Sequence, residues 1–404
     1  MVGMRASSLC LALCAIRLMS RVRRSRVQLS DICPEVLQTA PTYPVRAMQQ
    51  SIRYLKTRDN VELAWAAMGK GPPLLKAANW LTHLQYDLES SVWRHWTEFF
   101  SQHFRFIRYD ERGCGMTQWN VPDVSMPRWI DDLEEVAQVA VPDGPMTLFG
   151  ISQGAAACIG YAVRHPERVS HLILYGGYAT GWARRGDAEG LRRYQAIVEL
   201  INLGWGSDNA AFRQVFTSRF APGASAEQLE WFNELCRRTT TPQIATHLML
   251  ARSEVDVRDL LSQVKAPTLV IHADGDEVTP LAAGRELAAG IPTAEFVQLE
   301  SRNHVLLAHE PAWVRFKEVV MEFVGRSAQV EQSGGVFAAL SDRERDVVTG
   351  LVAGHSNLEI AARLNISDKT VRNMLTRIFE KLEVRSRAQA IVLAREQGFS
   401  GRGT

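Results

Sequence analysis

Ser152 lies between two glycines in Gly150-Ile151-Ser152-Gln153-Gly154, directly after the apolar run Met146 to Phe149 and before the helix-like run Ala155 to His165. A hydroxyl on a tight strand-to-helix turn stands clear of its neighbours. Small flanking residues permit the turn, and the amide groups that open the helix face a developing oxyanion. The chemistry this suits is nucleophilic attack on a carbonyl. Such a serine needs a base to take its proton and a carboxylate to orient that base. Further along the chain come Asp276, just past the run Thr268 to His272, and His304, just past the run Ala294 to Leu299. Both stand at carboxyl ends of strand-like runs, where an open α/β sheet gathers its ligands, so Ser152, Asp276 and His304 can converge despite their separation.

The elements that must position them follow from periodicity. Residues Ile52 to Ala67 alternate about Asp59-Asn60, a hairpin pattern that leads into the strand-like run Leu74 to Ala78. Apolar runs recur at Phe104 to Tyr109 and Val169 to Tyr175, with helical stretches between most of them, which predicts a doubly wound α/β sheet. Between Gly176 and Val264 the alternation lapses into helix-like sequence, such as Leu191 to Leu203 and Ala226 to Arg238. A helical cap over about 178–264 is expected there, with Trp182, Trp205 and Trp231 as packing residues.

Two further segments complete a pattern. Asp110-Glu111-Arg112-Gly113-Cys114-Gly115 follows an early strand, and Asn303 precedes His304. With the serine turn and the Asp276 segment, these make residues 50–325 resemble the α/β-hydrolase family. The resemblance implies that His304 takes the serine proton, that Asp276 supports the imidazolium, and that the backbone N–H groups of Trp80 and Gln153 form an oxyanion hole. It also implies structural roles for Asp110 and Arg112. The chain departs from the family at Ala78-Asn79-Trp80, where His-Gly is common; asparagine tolerates the positive φ that glycine would supply. No Walker-type loop or dinucleotide fingerprint is present, and the cysteines show no metal spacing, so neither cofactor nor metal is expected.

The last seventy or so residues do something different. Ser341 with Glu344, Ser356 with Glu359, and Ser386 with Gln389 read as three capping boxes, and Ser367 is a fourth N-cap. Four short helices are expected, the second and third forming a helix-turn-helix. On the helix from Asp368, Val371, Leu375, Ile378 and Leu382 share one face, whereas Lys369, Thr370, Arg372, Asn373, Thr376 and Arg377 lie largely on the other. Basic and amide side chains there suit base edges and phosphates in a major groove, with Lys381 a phosphate contact near the helix end. Leu340-Ser341-Asp342-Arg343-Glu344, Asn357-Leu358-Glu359-Ile360-Ala361, Ser367-Asp368-Lys369-Thr370-Val371 and Lys381-Leu382 resemble the LuxR-type helix-turn-helix family. That resemblance implies homodimers on paired half-sites of double-stranded DNA through the last helix. Met374 replaces a frequent histidine of the family and Glu383 a frequent glycine.

Composition sets the frame. At 404 residues, with 46% hydrophobic and 22% charged, the chain can bury a sizeable core and exceeds what one core usually holds. The formal net charge of +2 is unevenly spread, basic at both ends and mildly acidic between. Met1 to about Gln49 carries a short apolar stretch followed by Arg17, Arg21, Arg23, Arg24 and Arg26. The stretch is too short to span a bilayer, and the charge after it opposes export. The chain therefore divides into a disordered or mis-started extension (1–49), a hydrolase-like domain (50–325), a flexible linker (326–336) and a DNA-reading domain (337–400), with a cytoplasmic location and no membrane partner. Two functions fit. One is a transcriptional regulator whose hydrolase-like domain senses, and turns over, a small ester-like or other apolar ligand. The alternative is a working serine esterase or acyl hydrolase whose DNA-binding domain is auxiliary.

Overall fold

The computed structural model describes residues 50–333, 337, 340–396 and 399, so the expected extension over 1–49 lies outside the described residues. Eight strands form one sheet: β1 (Ser51–Lys56), β2 (Glu62–Met68), β3 (Pro73–Lys76), β4 (Arg105–Tyr109), β5 (Met146–Ile151), β6 (Val169–Tyr175), β7 (Thr268–Ala273) and β8 (Ala294–Leu299). Their spatial order is β1-β2-β4-β3-β5-β6-β7-β8. The hairpin turns on Asn60, which takes the left-handed φ of 66° that asparagine tolerates, and β2 pairs antiparallel with both β1 and β4. All pairings from β4 to β8 are parallel. Strand β5 runs past Phe149 because its pairing with β6 continues to Ile151 opposite Tyr175, which delivers the chain to Ser152 at the strand's end.

Helices α1 (Arg94–His103), α2 (Met126–Ala140), α3 (Gly154–Arg164), α9 (Leu281–Gly290) and α10 (Pro311–Ser333) accompany the strands. The cap contributes α4 (Ala188–Gly204), α5 (Ala211–Phe220), α6 (Ala226–Thr239), α7 (Pro242–Ser253) and the short α8 (Arg258–Leu261). Buried β5 and β6 side chains meet aromatic rings of the flanking helices, with Trp96 stacked 6.2 Å from Phe149 and tilted against Tyr175 at 5.5 Å. Arg112 and Asp110 act within the core. The Arg112 guanidinium, fully buried, bonds Asp132 and Asp59 at 2.5 to 2.9 Å and the Asp123 carbonyl at 2.9 Å, while Asp110 Oδ2 accepts the amides of Leu84 and Met116.

One expectation needs correcting. The segment 326–336 does not begin as irregular chain, because α10 continues to Ser333. Ala328, Gln329, Glu331 and Gln332 are good helix formers, and extending an existing helix avoids the cost of nucleating a new one.

The C-terminal unit consists of α11 (Asp342–Val352), α12 (Asn357–Leu364), α13 (Asp368–Lys381) and α14 (Arg387–Glu396) around its own apolar cluster, including Val347, Leu351, Ile360, Val371 and Ile378. Ser341 and Ser356 form complete capping boxes with Glu344 and Glu359, and Ser367 caps Thr370 N. The third box closes differently. Gln389 N bonds Ser386 Oγ at 3.2 Å, but the Gln389 side-chain Oε1 accepts from Arg385 N at 2.8 Å rather than from the cap residue itself.

Candidate functional site

Ser152 adopts a φ of 55°. A left-handed non-glycine residue of this kind costs roughly 1–3 kcal/mol and persists only where the surroundings impose it. Here the imposing contacts are Ser152 N to Tyr175 O at 3.0 Å and Ala155 N to Ser152 O at 3.1 Å. Gly150 is required by space, since a Cβ there would stand 2.6 Å from Ala155 Cα and 2.8 Å from Ala155 N. The turn leaves Ser152 lining an open pocket.

Asp276 and His304 come together beneath the ends of β7 and β8. His304 Nδ1 bonds Asp276 Oδ2 at 2.6 Å, and Asp276 Oδ1 accepts the amides of Val278 at 2.7 Å and Thr279 at 2.9 Å. Burial alone pushes the Asp276 carboxyl up, but the His304 imidazole and the Thr279 amide outweigh it and hold the group below its ordinary value. The pair is almost wholly shielded from solvent, and His304 Nε2 is buried with no hydrogen-bond partner. A Cβ at Gly176 would stand 3.1 Å from His304 Cε1, so the glycine after β6 makes room for the imidazole. The loop that carries His304 is tied to the cap by Val305 N to Phe220 O at 2.9 Å and by Gly223 N to Asn303 Oδ1 at 2.8 Å. From the other side, His95 Nε2 and Trp96 Nε1 both donate to Leu306 O, at 3.0 and 3.1 Å.

Trp80 and Gln153 line the same cavity as Ser152. The Trp80 N–H donates to Gln153 Oε1 at 3.1 Å, while the Gln153 N–H makes no hydrogen bond among the described residues. The positive φ in this loop belongs to Leu81, at 62°, and not to Asn79. Asn79 instead accepts from the buried Lys76 Nζ and donates to Trp80 O at 3.2 Å, so its side chain braces the loop. Among the described residues no cluster of three His, Cys, Asp or Glu side chains is placed to hold a metal ion, and no helix is long and apolar enough to cross a membrane. Cys114, Cys158 and Cys236 are buried thiols, and burial pushes Cys158 up to about 12.

In the C-terminal unit, α12 and α13 join through Asn365, which ends α12 with a left-handed φ of 53°. Val371, Leu375, Ile378 and Leu382 are buried; Lys369, Thr370, Arg372, Asn373, Thr376, Arg377 and Lys381 are all exposed. They are not equally available. Arg372 pairs with Asp368, Thr376 Oγ1 bonds Arg372 O at 3.2 Å, and Lys381 Nζ bonds Glu344 Oε2 at 2.7 Å. Lys369, Asn373 and Arg377, each four residues apart, have no side-chain partner among the described residues and form one open donor ridge.

The pattern of the serine aminopeptidase S33 family matches residues 92–311, more than half of the chain, and that of the luxR family of bacterial regulatory proteins matches residues 338–394. The chain belongs to the S33 family of α/β hydrolases and carries a luxR-type DNA-binding domain. Its hydrolase unit is 28% identical over 254 residues to the AB hydrolase superfamily protein YisY of Bacillus subtilis, covering 62% of this chain and 91% of that one. It is also 28% identical over 240 residues to a pimeloyl-[acyl-carrier protein] methyl ester esterase of Nitrosomonas europaea, covering 58% and 90%. A solved hydrolase from Pseudomonas aeruginosa PA01 superposes with a TM-score of 0.56 at 24% identity, over 68% of this chain and 98% of that one, a likeness of fold.

Three features of the hydrolase unit escape the sequence reading. Gly176 was findable, since it follows a strand at the end of the sheet where ligands gather. His272, whose Nε2 stands 2.9 Å from Thr279 O and 3.8 Å from Asp276 Oδ2, sits in the run already read as a strand. The pairing of Glu111 with Arg252 left no local signal. Arg252 lines the cavity and places its NH2 2.6 Å from both Glu111 oxygens.

Proposed function

We propose that this protein is a luxR-type transcriptional regulator whose hydrolase unit takes up, and turns over, a small ester-like ligand. Ser152 acts as nucleophile, His304 as base and Asp276 as the orienting carboxylate, with the N–H groups of Trp80 and Gln153 receiving the oxyanion. The observation that carries this reading is the left-handed Ser152 on a cavity, with a buried His304–Asp276 pair of 2.6 Å, in a chain that also presents the open ridge of Lys369, Asn373 and Arg377. The esterase named among the relatives supports the ester class. Because the Trp80 N–H already serves Gln153 Oε1, a ligand carbonyl must displace the Gln153 amide to use it. Resting and occupied states of the loop therefore differ, as a sensor needs: a ligand shifts an equilibrium only through differential affinity for its two states.

DNA recognition proceeds through α13 on paired half-sites. Homodimerisation through α14, where Val392 is exposed, and a cytoplasmic location complete the reading, with functional boundaries at 50–325 and 337–400. The test is genome-wide mapping of bound promoters with wild type and Ser152→Ala. Promoter occupancy that never responds to candidate esters in band-shift titrations would overturn the sensing role. The second reading, a working esterase with an auxiliary DNA-binding domain, is favoured by the fully assembled His304–Asp276 pair. Equal rates on short acyl esters for wild type and Ser152→Ala would remove catalysis from either account.

A further inference from the structure

The cavity beside Ser152 is lined mostly by aromatic and aliphatic side chains, yet three arginines, Arg185, Arg219 and Arg252, reach it and neither Asp nor Glu does. Their charges are not equally compensated. Arg252 is buried against the Trp80 ring at 4.6 Å, and its NH2 is held by both Glu111 oxygens, but its Nε and NH1 are buried without an acceptor. Arg219 donates to the Glu277 carbonyl at 2.7 Å and lies over the Tyr194 ring at 5.2 Å. Arg185 donates to the Thr180 carbonyl at 2.9 Å and lies over the Tyr178 ring at 5.2 Å. Rings and carbonyls fix these two guanidinium groups in place but bring no full negative charge, and among the described residues neither has a carboxylate within ion-pair distance. Two half-buried, uncompensated and pre-oriented forks in a mostly apolar cavity suit a planar anion at the end of an apolar chain.

We infer that the ligand is an ester whose acyl chain ends in a free carboxylate, with the ester carbonyl at Ser152 and the carboxylate on Arg185 and Arg219. This rests on Ser152 being the nucleophile. In the reaction, Ser152 Oγ bonds the acyl carbon and the alcohol leaves with the proton passed on by His304. Water then breaks the acyl–serine bond, and the products are one alcohol and one dicarboxylic acid. A charge-assisted bidentate contact corresponds to roughly 10- to 100-fold in affinity.

The test compares monomethyl adipate with dimethyl adipate in wild type, Arg185→Gln/Arg219→Gln and Arg219→Lys, alongside calorimetric binding of monomethyl adipate to Ser152→Ala. Expected are a kcat/KM ratio of about 10 to 100 in favour of the monoester, carried by KM and reduced by 0.5 M NaCl. The ratio falls to about one in the double glutamine variant and is partly kept in Arg219→Lys. Hydrolysis of both esters with no preference, or a preference that survives the double variant, overturns the inference while leaving Ser152 as nucleophile. Binding of the monoester that needs the arginines, without turnover of either ester, upholds the anion site and overturns the hydrolytic reading. If the protein neither binds nor turns over the monoester, the inference is overturned.

Discussion

Removing the carboxylate of Glu111 tests whether the Arg252 pair carries the stability its burial suggests. The side chains are 6% and 1% exposed, and NH2 stands 2.6 Å from both oxygens. At a charge separation of about 4 Å and an effective dielectric constant near 20, the attraction is about 4 kcal/mol. In Glu111→Gln the guanidinium stays buried and cannot discard its proton, so about 3–5 kcal/mol of stability is lost wherever Glu111 is ionised in the wild type. Arg252→Met behaves differently, because burial already pushes the Glu111 carboxyl up, against the downward pull of Arg252. Without that pull the carboxyl protonates. A group whose folded value is raised contributes fully below its unfolded value and loses that contribution as pH rises, so Arg252→Met is least damaging near pH 5 and worsens toward pH 8. Glu111→Gln/Arg252→Met returns to within about 1 kcal/mol of wild type. All ten tryptophans precede the luxR-type domain, so urea unfolding followed by indole emission reports the hydrolase unit alone. A Glu111→Gln protein within 1 kcal/mol of wild type, or an Arg252→Met loss that does not vary with pH, would refute this reasoning.

Three other outcomes follow from the geometry. Glu383 holds a φ of 54°, where glycine is favoured, so Glu383→Gly raises the stability of the C-terminal unit by about 1 kcal/mol, seen in far-ultraviolet circular dichroism as a higher second midpoint. Burial holds the His95 imidazole down at about 4 from its usual 6.5. Its contribution is present above pH 6.5 and is lost as pH falls toward 4, up to about 3 kcal/mol, and His95→Gln flattens that part of the urea-stability profile. In promoter titrations Arg377→Ala weakens binding about tenfold or more and lowers the salt slope by about one, whereas Lys381→Ala, whose ammonium is spent on Glu344, leaves the slope within half a unit of wild type.

Local signals were legible where the chemistry is itself local. The elbow at Ser152 could be read because only a strand, two glycines and a helix are needed to make it. The caps at Ser341, Ser356 and Ser367 were legible because an N-cap is settled within four residues. Asp276 and His304 could be placed through their positions at strand ends. What stayed hidden depends on neighbours distant in sequence. Nothing around Arg252 announces Glu111, and nothing in α13 announces that Lys381 spends its charge on α11. Leu81 takes the positive φ that sequence reasoning would assign to Asn79, because Asn79 is committed to Lys76 and Trp80. The helix through 326–333 was hidden by a composition that suits a connector as well as a continuing helix.

The loop bearing His304 leans on the cap through two main-chain bonds, from Val305 to Phe220 and from Gly223 to Asn303. A movement of the cap away from the sheet would break both bonds and release the imidazole from its alignment. On the proposed serine chemistry, ligand entry and reaction would then be successive phases. A cap substitution far from Ser152 would on that chemistry lower turnover without touching any reacting atom.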